Sequence, residues 1–485
     1  MKAILRSFGV LFLSLVICLG YRCRMQTNPA YPNMPPNTTL ANIPVPNDTI
    51  FALVTLHWDG EDDDGYITAY EYRYITHHVY VGDSLVQPWK STDKTSLTIA
   101  FESSDDLNYQ IFQVRAVDNK GDVDPTPAEK RFYTYKTTFP ITTLISPTNN
   151  QVFFAIDHTT DWWSGVQITF TAEDKDFQGE VVEYAWAVDR GPWHWTKDTT
   201  LFITPDNFIP LNGKHTIRVT SRDNTNLIDP VGDSAIVRLI QPIFDRRILI
   251  IDETIEKDFP FGVVATDEDV DNFYAELFGS PYEWDYTKRG FPPKDTLAHY
   301  QMIIWHADNC YSASTAHHKL PNHIREIMDY LNVGGDMIMS GWRILKSFAP
   351  LAPFPQAFAE GTFIHDYLHI NIADETSSAP DFIGAKGIGA FTTIRVDSAK
   401  LANAFPYYGK LAQINIIPSR AGFTDVIYTY NNEDNSPFVQ YRGRPCGLRY
   451  YGTVFDAVVF GFPIFFIEKG DAKTLAKEIL QSLGY

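Results

Sequence analysis

The stretch Leu56–Tyr74, LHWDGEDDDGYITAYEYRY, returns in outline about 110 residues later as TFTAEDKDFQGEVVEYAWA, residues 169–187. Glu61-Asp62 falls on Glu173-Asp174, Asp64 on Asp176, and Glu71-Tyr72 on Glu183-Tyr184. A second pair of runs follows the same rule: VRAVDNKGDVDP matches VTSRDNTNLIDP, setting Asp118-Asn119 on Asp223-Asn224 and Asp124-Pro125 on Asp229-Pro230. A period of this length is that of one immunoglobulin-sized sandwich rather than of a short solenoid unit.

Local patterning agrees. Phe112, Val114 and Ala116 alternate with polar neighbours, and Ile217 and Val219 alternate with Thr216, Arg218 and Thr220. Alternation of period two marks strands with one buried face. The sequence therefore predicts two antiparallel β-sandwiches, over residues 45–138 and 139–243.

After Pro242 the pattern changes. RRILIID and YQMIIWHADN are continuous apolar runs, as expected of strands buried on both faces of a parallel sheet. Between them, Thr266 to Asp269 reads as a capping box opening a helix that carries Val270, Phe273, Leu277 and Phe278. A helix from Pro321 bears Ile324, Ile327, Met328 and Leu331, and Gly334-Gly335 ends it before the strand DMIMSGW. FDAVVFGFP supplies another strand, and Asp471 is placed as the cap of a closing helix with Leu475, Ile479, Leu480 and Leu483. Strands and helices in alternation predict a doubly wound α/β domain over residues 244–485.

Composition narrows the function classes. The chain has 485 residues, is 44% hydrophobic and 14% aromatic, and carries a formal charge of -19. Such a balance excludes a nucleic-acid backbone as partner, since phosphates are bound by clustered Lys and Arg. At the N-terminus, Lys2 and Arg6 precede an apolar run, Val10 to Leu19, too short to span a bilayer. Residues 1–22 are therefore expected to be an export signal, and residues 23–44, rich in Pro and Asn, a linker. With Cys18 and Cys23 in this segment, only Cys310 and Cys446 remain for the folded part, so no disulfide framework is expected, although those two could pair.

Three resemblances follow from these runs. Leu15-Val-Ile-Cys18 resembles a bacterial lipoprotein signal, which implies acylation of Cys18 and membrane contact through that anchor alone; ordinary secretion stays open beside it. The WDGEDDDG and VRAVDNKGDVDPTPA runs resemble fibronectin type III-like (Ig-like) modules of secreted proteins. The α/β region resembles the class I glutamine-amidotransferase-like, flavodoxin-type fold. That family sets a nucleophilic Cys on a glycine-flanked turn and completes its triad with a later His-Pro-Glu run. Here the turn position holds Ser340, with Ile338 in place of the earlier glycine, and the later run reads Phe462-Pro463-Ile464. The resemblance thus implies a domain without its triad.

Candidate sites follow. Parallel sheets open a cleft at their carboxyl ends, which nominates Asp252, Glu253, His306, Asp308, Ser340 and Trp342 for ligand binding. Asp62, Asp64, Asp118, Asp122 and Asp124 lie on two loops that a sandwich could bring to one end. They read either as Ca²⁺ ligands or as side chains capping their own turns. Trp162, Trp163, Trp193 and Trp195 read as inter-domain filler or as a carbohydrate-stacking platform. His365 and His369, in HDYLH, resemble a zinc-protease pair with Asp366 where Glu is usual. No Gly-rich phosphate loop follows Asp252, so no nucleotide or flavin cofactor is expected. The function expected is binding or assembly at the cell envelope, with an envelope protein or carbohydrate as partner; a hydrolase using an unrecognised site is the alternative.

Overall fold

The computed structural model describes residues 32–485 except 43–44, 46, 51, 102, 177–178, 257 and 310–317, and for 103–105 the backbone alone. The signal segment, Cys18, Cys23 and Cys310 lie outside the described residues. The chain forms two compact units. One holds residues 32–141 with 173–182 and 222–230, and the other residues 142–172, 183–221 and 231–485.

The repeat in the sequence is a repeat of topology. In the first sandwich, strands Asn37–Leu40, Leu53–Glu61 and Ser96–Ala100 form one sheet, and Thr49–Ile50, Ala128–Thr137, Ser103–Asp118, Ile67–His78 and Ser84–Val86 form the other, in that spatial order. The second repeats the order with Ile141–Ser146, Val166–Glu173 and Thr200–Ile203, faced by Val152–Phe154, Asp233–Ile240, Gly213–Asp223, Val181–Val188 and His194–Thr196. The first sandwich adds Lys90–Thr92 as a sixth strand beside Ile67–His78, so sheets of three and six strands, and in the second of three and five, are antiparallel but for a short parallel strand at one edge, an immunoglobulin-like arrangement. Phe112, Val114 and Ala116 are fully buried, with Leu56, Trp58 and Phe132, in the first core.

The Pro/Asn-rich run is not linker throughout, because Asn37–Leu40 pairs with Trp58–Glu61 as an edge strand. Thr38 explains the ordering: its buried hydroxyl accepts from the Ala116 N–H at 2.8 Å, a backbone donor that would otherwise go unpaired.

The remaining chain builds one nine-stranded sheet. Its strands in chain order are β1 (Arg246–Asp252), β2 (Tyr282–Asp285), β3 (Tyr300–Ala307), β4 (Asp336–Gly341), β5 (Gly384–Gly387), β6 (Ile394–Arg395), β7 (Thr424–Asn431), β8 (Pro445–Tyr451) and β9 (Asp456–Phe460). Spatially they run β2-β1-β3-β4-β9-β8-β7-β5-β6. The first five are parallel, and the rest extend the sheet antiparallel. Residues 356–451 supply β5 to β8, together with a small separate sheet of Gln356–Ala357, Ile370–Glu375 and Asn415–Arg420.

Successive residues of β1 feed opposite cores. Ile248 and Ile250 face α1 (Asp267–Phe278) and α3 (Lys469–Ser482), while Leu249 and Ile251 lie in the core that holds α2 (Ile324–Leu331). Two-sided burial accounts for the unbroken apolar runs. Thr266 caps α1 as read, in a reciprocal box with Asp269. The cap of α3 is instead Glu468, which accepts from Gly470 and Asp471 N–H at 3.0 Å each. Asp471, one turn in, bonds Arg395 from outside the helix. No helix among the described residues is long and apolar enough to cross a membrane.

The second sandwich packs on the α2 side. Trp162 sits 4.8 Å from the ring of Tyr367 and 5.0 Å from that of Phe455, which makes it the filler between the two folds. Arg238 adds a fork to Asp295, at 2.6 and 2.5 Å.

Candidate functional site

Register aligns the carboxyl ends of the parallel strands into one row. Asp285 lies opposite Asp252, Asp252 opposite His306, His306 opposite Ser340, and Ser340 opposite Phe460. The chain leaves β1 for β2 on one side and reaches β3 on the other, so the strand order reverses at β1, the place where open sheets form ligand crevices.

The six nominated residues divide into three groups. Asp308 and Ser340 are fully buried and already bonded: Asp308 accepts from Tyr274 Oη at 2.5 Å, Phe465 N–H at 3.1 Å and Ser340 Oγ at 3.4 Å. Burial pushes the Asp308 carboxyl upward, against the effect of these donors. Phe462, at the position where the resemblance puts a histidine, is a buried ring packed on Phe382 and Phe460. Glu253 and Trp342 lead to opposite cores. Glu253 accepts from Trp305 Nε1 at 3.0 Å and from Lys319 N–H, and burial raises its carboxyl to about 8. Trp342 donates to Ala412 O at 2.9 Å among Tyr407 and Phe466.

Asp252 and His306 form the third group. Thr254 donates its N–H and hydroxyl to Asp252 Oδ1 at 2.8 and 2.5 Å, and His306 Nε2 lies 3.4 Å from the same oxygen. Tyr274 stacks on the imidazole at 3.8 Å, and burial lowers its pKa to about 4, so His306 is neutral near pH 7.

Around Asp252 stand four carboxylates that the sequence reading passed over. Asp267 and Asp271 come from the first turns of α1, and Glu283 and Asp285 from β2. One oxygen each of Asp252, Asp271 and Glu283 lies within 4.8 Å of the other two. Burial and mutual repulsion push the carboxyls of Asp252, Asp267, Asp271 and Glu283 upward. Lys288 pairs with Asp285 and lies 3.6 Å from Asp267. The signal is present as acids at i and i+4 on a helix and at i and i+2 on a strand, but a run as short as YEWD does not mark itself as a strand by alternation.

The loop acids of the first sandwich do converge, in turn geometry. Asp118 Oδ1 accepts from Lys120 and Asp122 N–H at 2.8 Å each, Asp62 Oδ1 from Asp64 N–H at 3.2 Å, and Asp124 Oδ1 from Thr126 N–H at 2.8 Å. Lys120 Nζ bonds Asp64 at 2.9 Å, and Asn33 bridges Asp118 and Asp122. The second copy repeats the turns, with Asp174 accepting from Asp176 N–H and Asp223 from Thr225 and Leu227 N–H. His365 and His369 do not share a helix face, because the helix ends at Asp366 and His369 has φ 52°. Cys446 is buried, which raises its thiol pKa; its expected partner, Cys310, is outside the described residues. Trp193 and Trp195 are 41% and 40% exposed.

No family model matches the sequence, and no curated protein matches it. Among solved structures, the chain is similar to the fibronectin(III)-like modules of Clostridium thermocellum CbhA, at 16% identity and TM-score 0.21, over 42% of this chain and 95% of that one. It is similar to three N-terminal domains of the bacteriophage RB49 highly immunogenic outer capsid protein, at 16% identity and TM-score 0.18, over 47% of this chain and 65% of that one. It is also similar to the FN1–FN3 domains of chicken CNTN1, at 12% identity and TM-score 0.19, over 43% and 68%. At these scores the assignment of the sandwiches rests on strand pairing alone.

Proposed function

We propose that the chain is an exported, non-catalytic binding protein of the cell envelope, whose C-terminal domain is amidotransferase-like and flavodoxin-type without the triad. The parallel order β2-β1-β3-β4-β9 supports the flavodoxin-type reading, being the 2-1-3-4-5 order of that fold.

The observation that carries the non-catalytic reading is the state of Ser340. Its hydroxyl is fully buried, its contacts at 3.4 Å are Asp308, the Phe462 carbonyl and the Ile464 N–H, and none of these is an imidazole. The contact with Asp308 Oδ1, at 3.4 Å, is long for an O–H···O bond, and the other oxygen of that carboxyl is taken by the Tyr274 hydroxyl and the Phe465 N–H. The binding surface is assigned to the second sandwich. Exposed Trp193, with Arg218 stacked 4.9 Å from its ring, and exposed Trp195 suit the faces of envelope carbohydrate.

Two measurements on the full chain test this. Sedimentation with purified envelope polysaccharide should show saturable binding, weakened at least tenfold in Trp193→Ala/Trp195→Ala; no binding would overturn the carbohydrate assignment. Assays of glutamine, ester and peptide hydrolysis should show no turnover that depends on Ser340, and turnover abolished by Ser340→Ala would make the protein a hydrolase.

A further inference from the structure

Most buried carboxylates of the α/β domain are satisfied at both oxygens. Asp308 takes Ser340 on one and Tyr274 and Phe465 on the other; Asp336 takes Asp456 N–H and Tyr485 Oη; Glu253 takes Lys319 N–H and Trp305 Nε1. That is the rule for buried polar groups, because an unpaired one costs about 1–3 kcal/mol.

The cluster at the end of β1 breaks the rule. Asp252 is 1% exposed in its side chain, yet its Oδ2 meets no N–H or hydroxyl donor among the described residues, and the same holds for the buried Asp267 Oδ1 and Asp271 Oδ1; the polar neighbours are other carboxyls, Asp267 beside Asp252 and Glu283 beside Asp271. Neither ring nitrogen of the equally buried His306 has a hydrogen-bond partner among the described residues, and its Nε2 faces Asp252. Lys288 is one positive charge beside the five carboxylates Asp252, Asp267, Asp271, Glu283 and Asp285. Thr254 meanwhile anchors Asp252 Oδ1 twice, which fixes the direction of the free Oδ2, as outer-shell partners do for metal ligands.

We infer that Asp252, Asp271 and Glu283, with Asp267 beside them, bind a hard divalent cation that ties the carboxyl ends of β1 and β2 to the first turns of α1. The ligand set is all oxygen, which selects Ca²⁺ or Mg²⁺ over softer metals. Oxygens on opposite sides of Ca²⁺ stand about 4.6–5.2 Å apart, and those around Mg²⁺ at most about 4.2 Å. Separations within 4.8 Å are compatible with either ion and do not choose between them. Carboxylates this close together repel one another when ionised, and a cation between them would relieve that.

The test uses the full chain stripped with chelator, then titrated calorimetrically and melted with CaCl₂ or MgCl₂. Wild type should bind saturably, and Tm should rise by about 2–5 °C at millimolar ion. Asp271→Asn/Glu283→Gln removes repulsion without changing shape. It should therefore melt no lower than stripped wild type and lose this response, which separates loss of a site from failure to fold. Comparing the two salts identifies the ion. An absent response in wild type, or one undiminished in the double variant, overturns the inference.

Discussion

Tyr274 Oη donates to Asp308 Oδ2 at 2.5 Å while its ring stacks at 3.8 Å on His306, so one side chain of α1 closes over the polar ends of β3. Removing that hydroxyl leaves a buried carboxyl short of its strongest donor. Tyr274→Phe should destabilise the domain by about 1–3 kcal/mol in urea melts. Ser340→Ala, which loses only contacts at 3.4 Å, should cost under about 1 kcal/mol. The reverse ranking would mean that the serine holds this network.

Arg343 grips Glu375 with both ends of its guanidinium, at 2.7 and 3.1 Å, from a backbone at φ 62°. Both side chains are mostly shielded, at 7% and 14% exposed. Truncating one partner strands the other, so Arg343→Ala should destabilise by about 2–4 kcal/mol. Arg343→Met/Glu375→Leu removes both charges together and should recover most of that loss in chemical denaturation. If the double variant is no better than Arg343→Ala, packing by the arginine stem is the larger effect.

Much of this fold was legible because its signals are local. Asp62, Asp118 and their counterparts Asp174 and Asp223 sit in tight turns whose donors lie two or four residues away, so an alignment of one repeat on the other finds them. The apolar runs of β1 and β3 and the Thr266 box were legible for the same reason. What the sequence hid is long-range. Thr38 orders the preceding segment through a bond to Ala116, 78 residues on, and Glu283 meets Asp252 only because the short β2 pairs in parallel with β1. Topology brings the nominated strand ends into one row, yet the sequence does not tell that Trp342 and Glu253 turn into cores while Asp271 turns toward Asp252.

Trp162 makes a further case for long-range packing. Its indole fills the space between Tyr367 and Phe455, so Trp162→Ala leaves a cavity between the second sandwich and the α/β fold. A loss of about 2–4 kcal/mol is expected. Because that surface joins two folds of one unit, the variant should also split their thermal unfolding into two calorimetric transitions. A single, merely shifted transition would show that other contacts, such as the Arg238–Asp295 fork, suffice to couple them.

Asp336 opens β4, with Oδ1 bonded to Asp456 N–H at 2.7 Å and Oδ2 to Tyr485 Oη at 2.8 Å. Burial outweighs these two donors and raises its pKa from 3.8 to about 6. The sign follows from proton counting. Below about pH 4 the carboxyl is protonated in both folded and unfolded chains and contributes no slope. Between about 4 and 6 the folded chain holds a proton that the unfolded chain has released, so each step up in pH favours unfolding. Above about 6 the full cost of a buried charge is present, roughly 2–3 kcal/mol. Asp336→Asn keeps the shape, can still accept from Asp456 N–H, and can donate to the tyrosine oxygen, but has nothing to titrate. Relative to wild type it should therefore gain roughly 2–3 kcal/mol between pH 4 and pH 7.5 in urea melts. Subtracting the two chains at each pH removes the other titrating acids, which both share. A difference that stays flat would mean that the Asp456 and Tyr485 donors fully offset burial, and one of opposite sign would mean that they exceed it.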